Sequence, residues 1–249
     1  MKRILICGES YMGYTVHIKG ADSMTTSGYF ENVGWLKQAL ENGGYDITYM
    51  PSHLALADFP DTAQKLGAWD LLILSDVGAN TLLMTTPSFR QGVPMPDRCQ
   101  AIRAYVHAGG SLMMIGGFMS FTGIEGKARY GTTPIADVLP VALLPYDDRV
   151  ETSAGSVPVI LEPAHPVFSG IDGAWPCFIG YNKTVADDKR GQVLAAIGGD
   201  PFIAVGSFGE GRSAAFTSDC APHWGSPQFL SWQHYGRLWC NLAAWLTRQ

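Results

Sequence analysis

The sequence predicts an α/β fold in which a mostly parallel sheet carries helices on both faces. Four short apolar runs alternate with segments of helical periodicity, and each run stops at a polar or glycine-rich loop. Continuous apolar runs are typical of strands covered on both faces, as in parallel sheets. Strand-helix-strand alternation implies right-handed crossovers, which place helices on both sides of one sheet.

The apolar runs predict parallel strands at residues 2–8, 45–50, 69–75 and 111–116. Between them, Val33, Leu36 and Leu40 recur at helical spacing, and Asp97 is a suitable N-cap for a later helix. An apolar stripe over 232–247 predicts a final helix packed on the sheet.

The second half of the chain is rich in short segments of strand-forming residues. These segments cover residues 157–161, 177–181, 193–197, 202–206 and 213–217. Gly209 and Gly211 flank Glu210 in a sequence typical of a hairpin turn joining the last two. We therefore expect an antiparallel C-terminal extension of the sheet.

Composition limits the classes of function. A chain of 249 residues, 47% of them hydrophobic, is long enough to bury one large core, so we expect a single domain over 1–249. Only 16% of residues are charged and the net charge is -5, which argues against nucleic-acid binding. We expect a small-molecule ligand, another protein or a homo-oligomer as partner.

The chain carries no signal for secretion or for a membrane. The apolar run Ile4–Cys7 is far shorter than the core of a signal peptide, and no later run approaches a membrane span. Five widely spaced cysteines without a CxxC pair indicate neither a disulfide framework nor a zinc site. These features predict a reduced, cytoplasmic protein, and we predict no cofactor and no resident metal.

Polar residues gather at the predicted carboxyl ends of the strands, where open parallel sheets bind their ligands. We predict that Glu9, Asp219 and His223 line one pocket there and supply any catalytic acid or base. The predicted ligand-binding residues beside them are Ser10, Asp76, Gly116, Gly117 and Trp224. The alternative for each carboxylate is a structural role, either capping a helix or accepting from loop amides.

His223 lies in the segment 220–225, whose Pro, Trp and Gly residues indicate a shaped, partly buried loop. A carboxylate beside an imidazole favours the protonated ring, so we expect His223 to act as a general acid near neutral pH. Cys220 is close in sequence, but nothing indicates a base or oxyanion donors for it, and we interpret it as a buried, inert thiol.

Residues 9–28 are predicted to form an unusually long loop, and long loops are often functional. His17 and Lys19 could bind an anionic or hydroxylated ligand, with His17 near the rim of the pocket. The alternative is a solvated loop or a contact between copies of the chain.

Several segments together resemble the class I glutamine amidotransferase-like superfamily, in its branch of putative glutamine amidotransferases and ThuA-like proteins. They are ICGES at 6–10, HIKG at 17–20, LLILSDVGANTLL at 71–83, GGSLMMIGGFMSFTG at 109–123 and FTSDCAPHWG at 216–225. They span nearly the whole chain. The resemblance implies a flavodoxin-like α/β fold.

The resemblance does not extend to the family's nucleophile. A working class I amidotransferase places a cysteine on an elbow directly after the strand that corresponds to 111–116, and here Gly116 and Gly117 stand there. Ser120 lies several residues beyond the elbow. The family's distal histidine corresponds to His223, but no carboxylate follows it at the usual spacing, so the resemblance does not imply glutamine hydrolysis through a thioester.

The sequence thus predicts an amidotransferase-like protein that binds or acts on a small polar, sugar-like metabolite. One alternative is a metal-dependent hydrolase with Glu, Asp and His ligands. Another is a non-catalytic ligand-binding protein or oligomeric scaffold, since Trp175, Trp224 and Trp232 suit either a pocket or an interface.

Overall fold

A computed structural model describes residues 1–249. The strands are β1 Arg3–Gly8, β2 Ser10–Lys19, β3 Asp22–Glu31, β4 Asp46–Met50, β5 Leu71–Ser75, β6 Ser111–Ile115, β7 Val141–Leu143, β8 Arg149–Ser156, β9 Val159–Ile160, β10 Phe178–Asn182, β11 Thr184–Ala186, β12 Gly191–Ile197, β13 Asp200–Phe208 and β14 Gly211–Phe216. The α-helices are α1 Gly34–Asn42, α2 Ser52–Asp58, α3 Ala63–Leu66, α4 Ala79–Leu83, α5 Thr86–Gln91, α6 Arg98–His107, α7 Pro227–Leu230 and α8 Tyr235–Thr247. The 3₁₀ helices are Ile124–Gly126, Tyr130–Thr132, Pro134–Asp137 and Pro166–Phe168.

Eight strands form the main sheet in the order β4-β1-β5-β6-β14-β13-β12-β9. The first five are parallel to one another. The last three continue the sheet with antiparallel pairings. This arrangement confirms the flavodoxin-like α/β fold, with the four predicted parallel strands in one sheet and an antiparallel C-terminal extension.

Two details of the predicted extension are wrong. Strand β14 pairs with β13 through the expected hairpin, but it also pairs in parallel with β6 and so belongs to the parallel part of the sheet. Strand β10 is not in the main sheet at all, because it pairs with β8 in a separate two-stranded ladder. Strands β7 and β11 form another such ladder.

Each face of the sheet is covered by its own core. Successive side chains of a strand point to opposite faces, so one strand contributes to both cores. In β1, Ile4 and Ile6 face a core that includes residues of α1 and α8, whereas Leu5 and Cys7 face a second core with α4 and α6. The side chain of Asp97 caps α6 by accepting from the amides of Cys99 and Gln100, as predicted.

The segment that follows β1 differs from the predicted loop. Strands β2 and β3 pair in antiparallel register from Ser10 with Glu31 to Lys19 with Asp22. They form a hairpin, the β2–β3 arm, and nearly all its residues are exposed. The prediction failed because only every second residue of β2 is apolar, a weaker signal than the buried runs of the main sheet. None of the helices is long and apolar enough to cross a membrane.

Candidate functional site

The turns that follow β1 and β5 hold two carboxylates at the carboxyl edge of the sheet. Glu9 and Asp76 both adopt left-handed backbone conformations, with φ of 49° and 44°. The turn at Gly8 requires glycine, because a Cβ atom there would lie 1.8 Å from the carbonyl oxygen of Ser75. Such conformations are costly for residues other than glycine and concentrate at functional sites.

The segment after β14 brings a third carboxylate to the same place. Strands β5 and β6 lie between β1 and β14, so this segment must cross the ends of both to reach Glu9. It does so: Asp219, Cys220 and Glu9 each offer an oxygen or sulfur atom, and these atoms lie within 4.8 Å of one another. Ser75 lies beneath them, and its hydroxyl donates to Glu9 Oε1 at 2.6 Å.

These groups face a cavity of about 430 Å³ at the edge of the sheet. Glu9, Asp76, Asp219 and His223 all line it. The remaining lining residues are Tyr11, Asn32, Phe118, Met119, Ile124 and Pro222. The cavity therefore combines a cluster of ionisable groups with aromatic and aliphatic walls.

Burial controls the ionisation of the carboxylates. Glu9 and Asp219 are only 4% and 5% exposed. Desolvation raises the pKa of both well above the ordinary carboxyl range, and mutual repulsion with neighbouring carboxylates raises it further. The pKa of Asp76 is also raised, mainly by burial. The cluster consequently favours protonated carboxyl groups, which can both donate and accept hydrogen bonds.

His223 stands at the mouth of this cluster in an unusual backbone conformation, with φ of 131°. Its Nδ1 is 3.6 Å from Asp219 Oδ2, and its ring packs edge-on against Phe118 at 4.2 Å between centroids. Burial lowers the pKa of His223, and this effect outweighs the attraction of Asp76 and other nearby carboxylates. The expected protonated imidazole is therefore wrong, and a neutral ring is favoured near pH 7.

Asp76 and the segment after β6 are fixed to one another. The amide of Met119 donates to Asp76 Oδ1 at 2.6 Å, and the amide of Asp76 donates to Ser120 Oγ at 3.1 Å. Gly117, with φ of 155°, passes so close that a Cβ atom would lie 2.8 Å from Asp76 Oδ1. Gly117 thus makes room for the carboxylate and does not itself line the cavity.

The sequence analysis did not identify Phe118 or Asn182 as residues of the site. Phe118 supplies a cavity wall, and fully buried Asn182 accepts from the amide of Gly117 and donates to Asp148. Asn182 ends β10, which pairs with β8 rather than with the main sheet. No local pattern links Asn182 to the ends of the parallel strands. Its one signal in the sequence is that a polar residue ends an otherwise apolar strand.

Several predicted ligand-binding residues lie elsewhere. Ser10 accepts from the amide of Ser52 and lines a neighbouring cavity of about 410 Å³ at the base of the β2–β3 arm. His17 and Lys19 lie near the tip of that arm, and His17 contacts Thr26 rather than the rim of the cavity. His17 and Lys19 are far from the cavity because the arm is extended, and each strand residue adds about 3.3 Å to the distance from Glu9.

Trp224 and Gly116 are also outside the cavity. Trp224 is 1% exposed and lies behind His223, where its indole nitrogen donates to Glu151 Oε1 at 3.1 Å. Gly116 lies under the crossing segment, and a Cβ atom there would be 2.1 Å from the carbonyl oxygen of Thr217. Both residues support the walls of the cavity instead of facing a ligand.

The elbow after β6 carries no nucleophile. Gly116 and Gly117 occupy it, the Ser120 hydroxyl donates to the carbonyl of Ile115 at 2.5 Å, and Cys220 is fully buried. Burial and the nearby carboxylates raise the pKa of the Cys220 thiol well above its ordinary value. The site lacks the thiolate that thioester chemistry requires.

The sheet order and the polar cavity at its carboxyl edge define an amidotransferase-like α/β protein without the elbow nucleophile. The chain belongs to the family described as "Putative glutamine amidotransferase", which matches residues 3–248. No curated protein is significantly similar to the chain in sequence.

Two solved structures are similar over their whole length. Cytoplasmic protein STM3548 from Salmonella typhimurium is 43% identical with a TM-score of 0.95, and the match covers 99% of each chain. Cytoplasmic protein STM1381 from Salmonella typhimurium LT2 is 44% identical with a TM-score of 0.94, covering 98% of this chain and 99% of that one.

A ThuA-like protein from Parabacteroides merdae shares the fold at a greater distance. It is 11% identical with a TM-score of 0.57, and the match covers 99% of this chain and 90% of that one. At this identity the likeness concerns the fold alone.

Proposed function

We propose that the protein binds a small, neutral, polyhydroxylated metabolite of sugar-like chemistry in the cavity lined by Glu9, Asp76, Asp219 and His223. The observation that carries this proposal is the convergence of three carboxyl groups and an imidazole from three separate segments on one cavity of about 430 Å³. Ligand pockets typically combine such a volume with a few convergent polar groups.

The character of the cavity favours a hydroxylated ligand over an ion. Carboxyl groups whose pKa is raised offer both donors and acceptors, which match the hydroxyl groups of a sugar. Phe118 and Tyr11 add aromatic surface, against which the apolar face of a sugar ring can pack. No lysine or arginine lines the cavity, and the nearby Arg149, whose guanidinium lies over the Phe118 ring, is paired with Asp147.

The same groups would supply any chemistry. A carboxyl group with a raised pKa beside a neutral imidazole is a suitable acid-base pair near neutral pH, since each can exchange a proton there. In this scheme Asp219 donates a proton to a leaving oxygen and His223 accepts one from a hydroxyl group or water. Glu9 accepts from Ser75, and repulsion from Asp219 and Asp76 adds to the burial that raises the pKa of Glu9.

Thermal shift measurements test the binding. The probes are neutral monosaccharides and sugar alcohols, with sugar acids and primary amines as charged comparisons. A ligand that binds only the folded state must raise Tm. We expect neutral polyhydroxylated probes to raise Tm of the wild type, and the shift to be lost in Asp219→Asn and in His223→Ala.

Glu162→Gln is the matched control, because Glu162 is exposed and remote in sequence from every cavity residue. This variant should retain the full shift. A shift that survives in both site variants, or a shift produced only by charged probes, would contradict the proposal.

A divalent metal is a second candidate ligand. The ligand atoms of Glu9, Asp219 and Cys220 lie close enough together to share one ion, and a thiolate with two carboxylates suits Zn²⁺. Binding of the metal would require Glu9 and Cys220 to lose their protons, which burial favours in the absence of a metal. Elemental analysis of protein purified without chelators decides the point: stoichiometric zinc that is lost in Cys220→Ser would establish a metal site.

We also propose that the protein acts in the cytoplasm. The two Salmonella relatives are described as cytoplasmic proteins. Five free cysteines are consistent with a reducing compartment.

A further inference from the structure

The β2–β3 arm has one apolar face that is uncovered in this chain beyond the base of the arm. Side chains alternate along a strand, so Met12, Tyr14, Val16 and Ile18 all project from the same face. Each of these four side chains is more than half exposed. Their cross-strand neighbours on this face are Tyr29, Ser27, Thr25 and Ser23. A strand with this alternation normally buries its apolar face.

The other face of the arm is different in kind. Near the base, the rings of Tyr11 and Phe30 stack at 5.1 Å, and Phe30 covers the facing pair Gly13 and Gly28. Beyond them this face is mainly polar, with Thr15, Thr26, His17, Lys19 and Asp22, and Met24 is the one apolar residue among them. The outer part of the arm therefore has one mainly polar face and one face with a continuous row of exposed apolar side chains.

An isolated two-stranded hairpin is at best marginally stable in water, and it needs packing against another surface. The arm pairs over ten residues on each strand, yet only its base packs on the body of the chain, where Tyr29 lies edge-on to His53 at 5.2 Å between ring centroids. The apolar face beyond the base has no such partner within the chain.

We propose that another copy of the chain covers this face, and that two copies exchange arms around a twofold axis. Ten residues at about 3.3 Å each, in strands about 4.8 Å apart, give an arm face of roughly 330 Å². One arm on a flat surface would bury roughly 650 Å² in total, below the range of about 1,200–2,000 Å² for stable interfaces. Reciprocal exchange doubles this area to roughly 1,300 Å² and reaches that range.

The two related structures indicate that the arm is shared by these proteins. The matches with the two Salmonella proteins cover 98% or more of every chain at TM-scores of 0.95 and 0.94. So little of each chain is left unmatched that most of the arm must lie within the matched part. The exchange does not depend on the ligand proposed for the cavity.

Sedimentation velocity at micromolar concentrations tests the proposal. We expect the wild type to be a dimer and Val16→Lys/Ile18→Lys to be a monomer, because two charges would enter the interface. The matched control is Thr15→Lys/His17→Lys, which adds the same side chains at adjacent positions on the polar face. This control should remain a dimer.

A monomeric wild type would overturn the proposal, and so would a dimer that persists in Val16→Lys/Ile18→Lys. Equal dissociation by both double variants would also overturn it, because the apolar face would then have no special role. Far-UV circular dichroism checks that each variant is folded. If the first double variant is unfolded, the single changes Val16→Lys and Thr15→Lys make the same comparison.

Discussion

Gly116 lies directly against the carbonyl group of Thr217, so that a Cβ atom at position 116 would come within 2.1 Å of the Thr217 oxygen. Gly116 begins the elbow after β6, and Thr217 begins the segment that crosses this elbow to bring Asp219 to Glu9. The space beside the elbow is filled by backbone. The backbone at Thr217 leaves no room for a side chain at Gly116, and the same segment carries Asp219 to Glu9. The missing nucleophile and the carboxylate cluster therefore have one cause, the path of this segment.

Gly116→Ala should destabilise the protein. The added methyl group meets backbone atoms rather than a flexible side chain, so we expect the free energy of unfolding to fall by about 1–3 kcal/mol, as for other overpacked sites. Urea unfolding measures this change. Gly34→Ala is the control, because a Cβ atom there meets nothing within 4 Å, and its stability should be unchanged or slightly higher.

The protein should not release ammonia from glutamine at an enzymatic rate. The elbow has no side chain, and burial holds the Cys220 thiol in its protonated form by raising its pKa. A coupled ammonia assay with wild type and Cys220→Ala checks this. Steady release that disappears in Cys220→Ala would show that Cys220 is a nucleophile after all.

Glu9 and Asp219 should make the protein less stable as the pH rises from about 5 to 8, whereas the lowered pKa values of His165 and His223 act in the opposite direction over part of this range. Folding raises the pKa of Glu9 and Asp219 above their ordinary values, so the folded state binds more protons than the unfolded state at pH values above those ordinary values. Their protonated forms stabilise the fold at low pH, and this contribution is lost as the pH rises toward the folded pKa values. Urea unfolding as a function of pH measures the slope.

Glu9→Gln should flatten this dependence and raise the free energy of unfolding at pH 8 by about 1–3 kcal/mol, because a neutral amide replaces a carboxylate that is costly to bury. The exposed Glu162→Gln should leave the slope unchanged. A Glu9→Gln variant with the same slope as the wild type would show that Glu9 is ionised in the folded state throughout this range, because the contributions of the histidines cancel in that comparison.

The imidazole of His223 should titrate below its ordinary pKa of 6.5, because burial disfavours the charged ring. NMR titration of the histidine Cε1–H signals measures the midpoint, and His223→Ala assigns the signal. Binding that requires the neutral ring should consequently be retained at pH 7 and weaken as the pH falls through that midpoint. A midpoint above 6.5 would restore His223 as a protonated general acid.

The sequence was sufficient where the local periodicity is strong. Buried apolar runs located β1, β4, β5 and β6, and a helical stripe located α8. Four of the polar residues that follow parallel strands were placed at the correct edge, because the end of a parallel strand fixes which edge of the sheet they occupy. Glu9, Asp76, Asp219 and His223 lie around one cavity as a consequence.

What the sequence could not decide depends on contacts between distant segments. Nothing local predicts that residues 217–223 cross two strand ends, or that Asn182 joins Gly117 to Asp148. The sequence also does not show whether burial or nearby carboxylates control the pKa of His223. Its burial depends on residues such as Phe118, which comes from another loop. The sequence by itself determined the four parallel strands and the polar residues that follow them at the carboxyl edge of the sheet. The tertiary structure decided which side chains meet there, because burial and close approach arise only when separate segments pack together.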